Sequence, residues 1–208
     1  TSYNYLIKGK NNLSISVSGS EAGAGSSIKS YAFSGPSVST TQTGSSVSIA
    51  SVTNVGSFAN EKAELTYTVT ITDKRNRSSS AEKKIVCYDY QPPYLDSFKV
   101  SRSGTTLVCT YTPVFSSVNG ENFANVEIHY ISGKTEKVKT VEGVTRGQTV
   151  NTSIALDPDD ASTYRVYAVI TDGLGEDGQT STKTVYGESR VMNITADGTG
   201  IAFGKMAE

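Results

Sequence analysis

Apolar and polar residues alternate along most of this 208-residue chain, and this period of two constrains its fold more than any other feature. The alternation runs through "LSISVS" (13–18), "ELTYTVTITD" (64–73) and "VEIHY" (126–130). Successive side chains of a β-strand point to opposite faces, so the pattern predicts sheets with one face on a core. Clusters of Gly, Asn, Asp and Ser separate the runs, as in a sandwich. We therefore predict an all-β fold with very little helix.

Two short motifs recur at nearly the same spacing and indicate an internal duplication. "ITD" occurs at 71–73 and again at 170–172, a shift of 99 residues. "SYAFSG" (30–35) matches "IHYISG" (128–133) at a shift of 98 residues. A repeat of about 100 residues is the usual size of an immunoglobulin-like sandwich.

Pro92 and Pro93 lie between the two copies. Proline fixes φ and donates no ladder hydrogen bond, so adjacent prolines stiffen an extended linker. We predict two tandem β-sandwiches of the immunoglobulin or fibronectin-III type, at 1–91 and 92–189. A β-hairpin connector is expected to follow at 190–208.

Each copy carries a tyrosine two residues before a valine on the same strand face, Tyr67 before Val69 and Tyr164 before Val166. In a tyrosine corner, the phenol packs where a central strand begins and its hydroxyl bonds to upstream backbone. We predict this arrangement for both tyrosines; ordinary core-facing strand residues are the alternative. The valines stand where such sandwiches usually carry a disulfide cysteine, so burial alone is expected to hold the sheets together.

Composition argues against nucleic acid and membrane partners. The net charge is −1, with both signs scattered, whereas nucleic-acid binding needs a basic patch. The basic cluster "DKRNR" (73–77) is better explained as a hairpin tip. No apolar run approaches the roughly 20 residues that span a bilayer, so we expect no membrane insertion. The missing initial Met and secretory segment lead us to expect a fragment of a longer protein.

The glycines of "ITADGTGIAFGKMAE" (194–208) resemble a phosphate loop only superficially. A P-loop would need Gly where Thr199 stands and Ser or Thr where Met206 stands, followed by a helix. The segment instead predicts a hairpin that turns at Asp197 and Gly198. We expect no nucleotide or other cofactor.

Two acidic clusters are candidates for calcium. Calcium prefers six to eight oxygen ligands from a loop that can wrap around it. Neither cluster matches the EF-hand pattern, and Asp commonly caps tight turns with its own side chain, so these are weak candidates. Their members are Asp157, Asp159, Asp160, Asp172 and Asp177.

Nucleophilic catalysis would have to use His129, the only histidine of the chain. His129 falls within a predicted strand, where we expect it to be at the surface or half-buried. Cys87 and Cys109 lie in no recognisable nucleophile setting and lack zinc-ligand spacing. We predict that both are small buried or half-buried thiols without a disulfide, and that the chain is not an enzyme.

Several stretches together resemble immunoglobulin-like repeats in minor structural proteins of tailed bacteriophages. "ITDKRNR" (71–77) is similar to the repeats' V-T-D-x-R-G-R hairpin, with Asn76 in place of glycine, and "YQPP" (90–93) matches their Y-x-P-P exit. The opening I-x-G-x-S motif is matched by Ile7 and Gly9 and departs at Asn11. "DGTGIAFGKMAE" (197–208) resembles the family's junction segment, D-G-x-G-x-A-F-G-K-x-A-E.

The resemblance implies a non-enzymatic component of a phage tail tip, baseplate or fibre, assembled in the bacterial cytoplasm and located in the virion tail. Its modules would space and position a host-recognition element. Other virion tail proteins are the expected partners, and host-surface glycans are a candidate contact. Two alternatives stay open: the immunoglobulin-like repeat region of a bacterial surface adhesin, and an accessory carbohydrate-binding module.

Overall fold

The computed structural model describes residues 5–157 and 162–187, together with the backbone strands at 192–194 and 201–203. The regular secondary structure of these residues consists of β-strands, which confirms the all-β prediction. The chain divides into two compact units, Thr1–Gln91 with Val118–Gly120 and Pro92–Ser117 with Glu121–Glu208. The sequence pattern alone places 118–120 in the second domain. The predicted end of that domain at 189 lies outside the described residues.

The described residues of the first unit form seven strands: β1 (Leu6–Ile7), β2 (Leu13–Ser16), β3 (Ile28–Gly35), β4 (Val38–Gln42), β5 (Ser46–Ile49), β6 (Lys62–Asp73) and β7 (Ser78–Tyr88). One sheet has the order β1-β7-β6-β3-β4, in which β1 runs parallel to β7. The opposing sheet consists of β2 and β5, antiparallel to each other. Inward residues of both sheets form the core, including Ile49, Leu65 and Tyr67.

The second unit contains strands β8 (Tyr94–Ser103), β9 (Thr106–Val114), β10 (Ala124–Ser132), β11 (Thr135–Val141), β12 (Val150–Ala155), β13 (Tyr164–Asp172), β14 (Asp177–Gln179) and β15 (Lys183–Val185). One sheet has the order β12-β9-β8, and the other the order β11-β10-β13-β14, with β15 also paired to β13. Alternate residues of β9 and β13 enter the core, with Leu107, Tyr111 and Ile170 fully buried.

A terminal hairpin follows these strands in the chain. β16 (Met192–Ile194) pairs antiparallel with β17 (Ile201–Phe203), and Ile194 lies opposite Ile201. The antiparallel pairing confirms the predicted hairpin strands, and their role as a connector stays a prediction. The predicted turn at Asp197 and Gly198 lies outside the described residues.

Candidate functional site

The charged sequence at 73–77 forms the turn between β6 and β7, as predicted, and Asp73 organises it. The buried Asp73 carboxylate accepts hydrogen bonds through Oδ1 from the backbone amides of Arg75 (2.9 Å) and Arg77 (3.0 Å). Its Oδ2 accepts two more from the Arg77 guanidinium, at 2.9 and 2.7 Å. Asn76 adopts a left-handed φ of 61°, a conformation that glycine and asparagine adopt more readily than other residues.

Asp172 has the same role in the second unit. Its Oδ1 accepts hydrogen bonds from the amides of Leu174 (3.0 Å) and Glu176 (3.1 Å). Gly175 has a φ of 83°, at the position that corresponds to Asn76. Asn122 Nδ2 donates to Asp172 Oδ2 at 3.2 Å, where Arg77 bonds to Asp73 in the first unit. The two "ITD" motifs therefore mark one turn built twice.

Asp73→Asn is expected to weaken the acid dependence of folding stability. The Arg77 amide, helped by the Arg77 guanidinium and the Arg75 amide and opposed by burial, lowers the pKa of Asp73 to about 2. The unfolded value is about 3.9, so the stabilisation is complete above about pH 4 and is lost as the pH falls through about 2. Urea unfolding near neutral pH and near pH 2 measures this.

In that experiment, the wild-type chain should lose more stability between the two pH values than Asp73→Asn does. Glu82→Gln removes one exposed negative charge from β7 and controls for the change in net charge. Equal losses in the wild-type and Asp73→Asn chains would show that the turn carboxylate does not couple folding to pH.

The calcium candidates are not brought together among the described residues. Asp172 is occupied by the turn, Asp177 is exposed at the start of β14, and Asp157 is exposed after β12. Asp159 and Asp160 lie outside the described residues. Across 5–157 and 162–187, no group of three His, Cys, Asp or Glu residues could hold a metal ion.

The tyrosine-corner prediction is wrong for Tyr67. Tyr67 is the sixth residue of β6, within the strand rather than at its start. The side chain is 2% exposed, and its hydroxyl has no hydrogen-bond partner among the described residues. The ring packs on Gly35, where an added Cβ would lie 2.6 Å from Tyr67 Cδ1. The hydroxyl is thus buried without the upstream backbone bond that defines a corner.

Tyr67 lines a groove of about 540 Å³ in the first unit. Residues 13–18, which comprise β2 and the two residues after it, form one wall, and residues 79–83 of β7 form the other. Apolar side chains lie between the walls, including Val69, Ile71 and Ile85. No sequence motif marks this groove.

Tyr67→Phe is expected to raise stability by about 1 kcal/mol, because a buried hydroxyl without a partner costs about 1–3 kcal/mol. Tyr111→Phe is the matched control, for which we expect the opposite change in stability. The buried Tyr111 hydroxyl lies 3.0 Å from Thr152 Oγ1, so its removal should lower stability by about 1 kcal/mol. Urea unfolding of the two variants tests this, and destabilisation by Tyr67→Phe would mean that its hydroxyl is bonded.

The other predicted structural residues, Tyr164, Pro92 and Pro93, lie at or just before the start of a strand. Tyr164 is the first residue of β13 and is buried in the core, with its ring centroid 6.2 Å from that of Tyr130. Pro92 and Pro93 lie between β7 and β8, outside both strands. Pro93 is fully buried, and its carbonyl oxygen lies against Gly178 of β14, where an added Cβ would come within 2.1 Å. Gly178 thus lets β14 approach the chain where β8 begins.

Cys87 and Cys109 are buried free thiols, as predicted. Burial is the main cause that raises the pKa of each thiol to about 11. Since the thiolate is the nucleophile, these protonated side chains serve as small core residues.

His129 lies on β10, which confirms its predicted position on a strand. The polar cluster around it was not predicted from the sequence. On β10, His129 Nδ1 lies 2.8 Å from Glu136 Oε1, and the Tyr167 hydroxyl donates to the same oxygen at 3.0 Å. The His129 and Tyr167 rings stack with centroids 4.5 Å apart. The His129 bond, followed by the Tyr167 bond, lowers the pKa of Glu136. The pairing of β10 with β11 and β13 assembles the cluster, so its signal lies in cross-strand register.

The fold defines the chain as an all-β protein of two units, each built from two sheets that enclose a core. Within the described ranges, no helix has the length and apolar character needed to cross a bilayer. No protein-family model and no curated protein matches the chain.

Solved structures resemble the chain at low sequence identity. A DUF3823 family protein from Bacteroides ovatus is 12% identical, with a TM-score of 0.39 over 85% of this chain and 98% of that one. The chicken interferon gamma receptor alpha chain is 15% identical, with a TM-score of 0.39 over 78% and 96%. The FN1–FN3 domains of chicken CNTN1 are 13% identical, with a TM-score of 0.38 over 88% and 65%. Nothing about this chain's ligands follows from likenesses at these scores.

Proposed function

We propose that this chain is a non-enzymatic spacer and adhesion module that positions a host-recognition element in a phage tail tip, baseplate or fibre. The observation that carries the proposal is the duplicated plan, in which Asp73 and Asp172 organise the same turn in two units. Repeated small sandwiches set distance and presentation, and multiple copies multiply weak contacts.

The side chains best suited to catalysis, which are the buried carboxylates, the cysteines and the histidine, have structural contacts instead. Both buried carboxylates, Asp73 and Asp172, accept hydrogen bonds from backbone amides of their own turns. Both cysteines are protonated core residues, and His129 is held between Tyr167 and Glu136. The two carboxylates and the two thiols are thus committed to turns or to packing, which suits a scaffold.

The phage setting is supported by the resemblance of the two repeats and of the segment at 197–208 to virion proteins. In this setting the partners are other tail proteins, and the chain is assembled in the bacterial cytoplasm. A host-surface glycan is the proposed ligand of the module, and it would bind at the surface formed by His129, Glu136 and Tyr167. The His129–Glu136–Tyr167 cluster offers carboxylate acceptors for sugar hydroxyls beside an aromatic surface.

Immunogold labelling tests the setting directly. Antibodies raised against this chain should decorate the distal tail of phage particles from the source lysate. Gold on the bacterial envelope and none on tails would favour the surface-adhesin alternative and contradict the proposal.

A glycan array tests the contact, with the chain presented both as a monomer and on multivalent beads. We expect weak monovalent binding that rises about 10²–10⁴-fold on beads, and loss of binding for Glu136→Gln. Tight monovalent binding would favour an accessory carbohydrate-binding module instead. Binding unchanged by Glu136→Gln would remove the cluster from the contact.

A further inference from the structure

The two units place their first strands differently. In the second unit, β8 pairs antiparallel with β9 along most of its length, from Tyr94 opposite Val114 to Ser103 opposite Thr106. In the first unit, the short β1 pairs instead with β7, in the opposite sheet. Consequently β2, which pairs with β5 as β9 pairs with β12, has no strand on its other edge among the described residues.

The free edge of β2 presents backbone hydrogen-bonding groups. The Val17 amide donates to the Ser45 carbonyl at 2.9 Å, on the β5 side. Because amides alternate in direction along an antiparallel strand, those of Ser14 and Ser16 point to the free edge. Unpaired edge groups of this kind are a template for an added strand.

The core beneath this edge is incompletely covered. Leu13 and Ile15 on β2, and Val69 and Ile71 on β6, face inward yet are only half-buried. In the second unit, the inward residues of β9 and β13 are buried along both strands. The difference coincides with the groove of about 540 Å³ that runs between β2 and β7.

We propose that the β2 groove binds an extended segment of a partner polypeptide, which adds as an antiparallel strand to β2. Main-chain bonds to Ser14 and Ser16 would give affinity, and alternate apolar side chains of the segment would fill the groove. This proposal is independent of the phage setting.

The chain itself indicates the chemistry of the occupant. β8, "YLDSFKVSRS", covers the equivalent edge of β9 and buries or half-buries Leu95, Phe98 and Val100 in its own core. The predicted occupant is therefore a strand with apolar side chains at intervals and polar ones between them. The wall formed by residues 13–18 accommodates about six residues, since a strand rises about 3.3 Å per residue.

The test uses the full 208-residue chain, labelled with ¹⁵N, and a synthetic peptide of the β8 sequence as the probe. We expect chemical-shift changes centred on 13–18 and 79–83, and slower amide exchange at Ser14 and Ser16. A scrambled peptide of the same composition should produce neither. No shifts with the β8 peptide, or equal shifts with the scrambled one, would overturn the proposal.

Two matched proline variants separate edge pairing from other modes of binding. Ser16→Pro removes a free-edge amide and should weaken peptide binding about tenfold or more. Ser48→Pro makes the same change on β5, on the edge away from β2, and should leave binding unchanged. Ser14→Pro replaces Ser16→Pro if that chain fails to fold. Undiminished binding to the β2 variants would overturn strand addition, and dimerisation through this edge without peptide would make a second copy the occupant.

Discussion

Gly178→Ala is expected to destabilise the second unit by about 3 kcal/mol. The new Cβ would lie 2.1 Å from the Pro93 carbonyl oxygen and 3.2 Å from its carbonyl carbon. Backbone atoms cannot rotate away as the end of a flexible side chain can, so β14 or the start of β8 must shift. The prediction depends on β14 lying directly against the residue that leads into β8.

Urea unfolding, combined with amide exchange of β13 residues, measures this loss in the second unit. Gly44→Ala is the control, because its Cβ would meet nothing within 4 Å and should change stability by less than about 0.5 kcal/mol. Equal stability of the two variants would show that β14 does not pack against Pro93, and that β14 and the start of β8 are not in contact.

Leu107→Ala is expected to cost about 2–5 kcal/mol, because it empties a fully buried position on β9. Leu13→Ala is the informative comparison. Leu13 lies opposite Ile49 as Leu107 lies opposite Ile154, yet Leu13 is only half-buried. Leu13→Ala should therefore lower the free energy of unfolding by less than half as much as Leu107→Ala, because it removes less buried apolar surface and leaves no closed cavity. Equal costs by urea unfolding would mean that the first core is as fully covered as the second.

Sequence periodicity predicted the strands because alternation depends only on neighbours along the chain. The duplicated turn was also predictable, since "ITD" and the position of Asn76 or Gly175 recur at a shift of 99 residues. The tyrosine corner failed for Tyr67 because it was aligned with Tyr164 at a shift of 97. Aligning the "ITD" motifs instead places Tyr67 opposite Val166, within the strand. Alternation is the same at either shift, so the residue pattern alone could not distinguish them.

The candidate sites depend on register and strand partners, which the sequence does not specify. Glu136 and Tyr167 meet His129 only because β11 and β13 flank β10. The groove exists because β1 pairs with β7, whereas β8 pairs with β9. Nothing in the alternation of either first strand predicts which sheet it joins, because both sheets accept strands of period two.

Native-state amide exchange of the peptide-free chain tests whether β2 has an open edge where β9 has a covered one. The Leu156 amide bonds to the Thr105 carbonyl on the β12 side (2.7 Å), so the amides of Val108 and Thr110 point toward β8. Val108 and Thr110 should exchange only through opening of the second unit, whereas Ser14 and Ser16 should exchange close to their unstructured rates. Protection of Ser14 and Ser16 equal to that of Val108 and Thr110 would mean that the edge of β2 is covered as well, and that it is not available to an added strand.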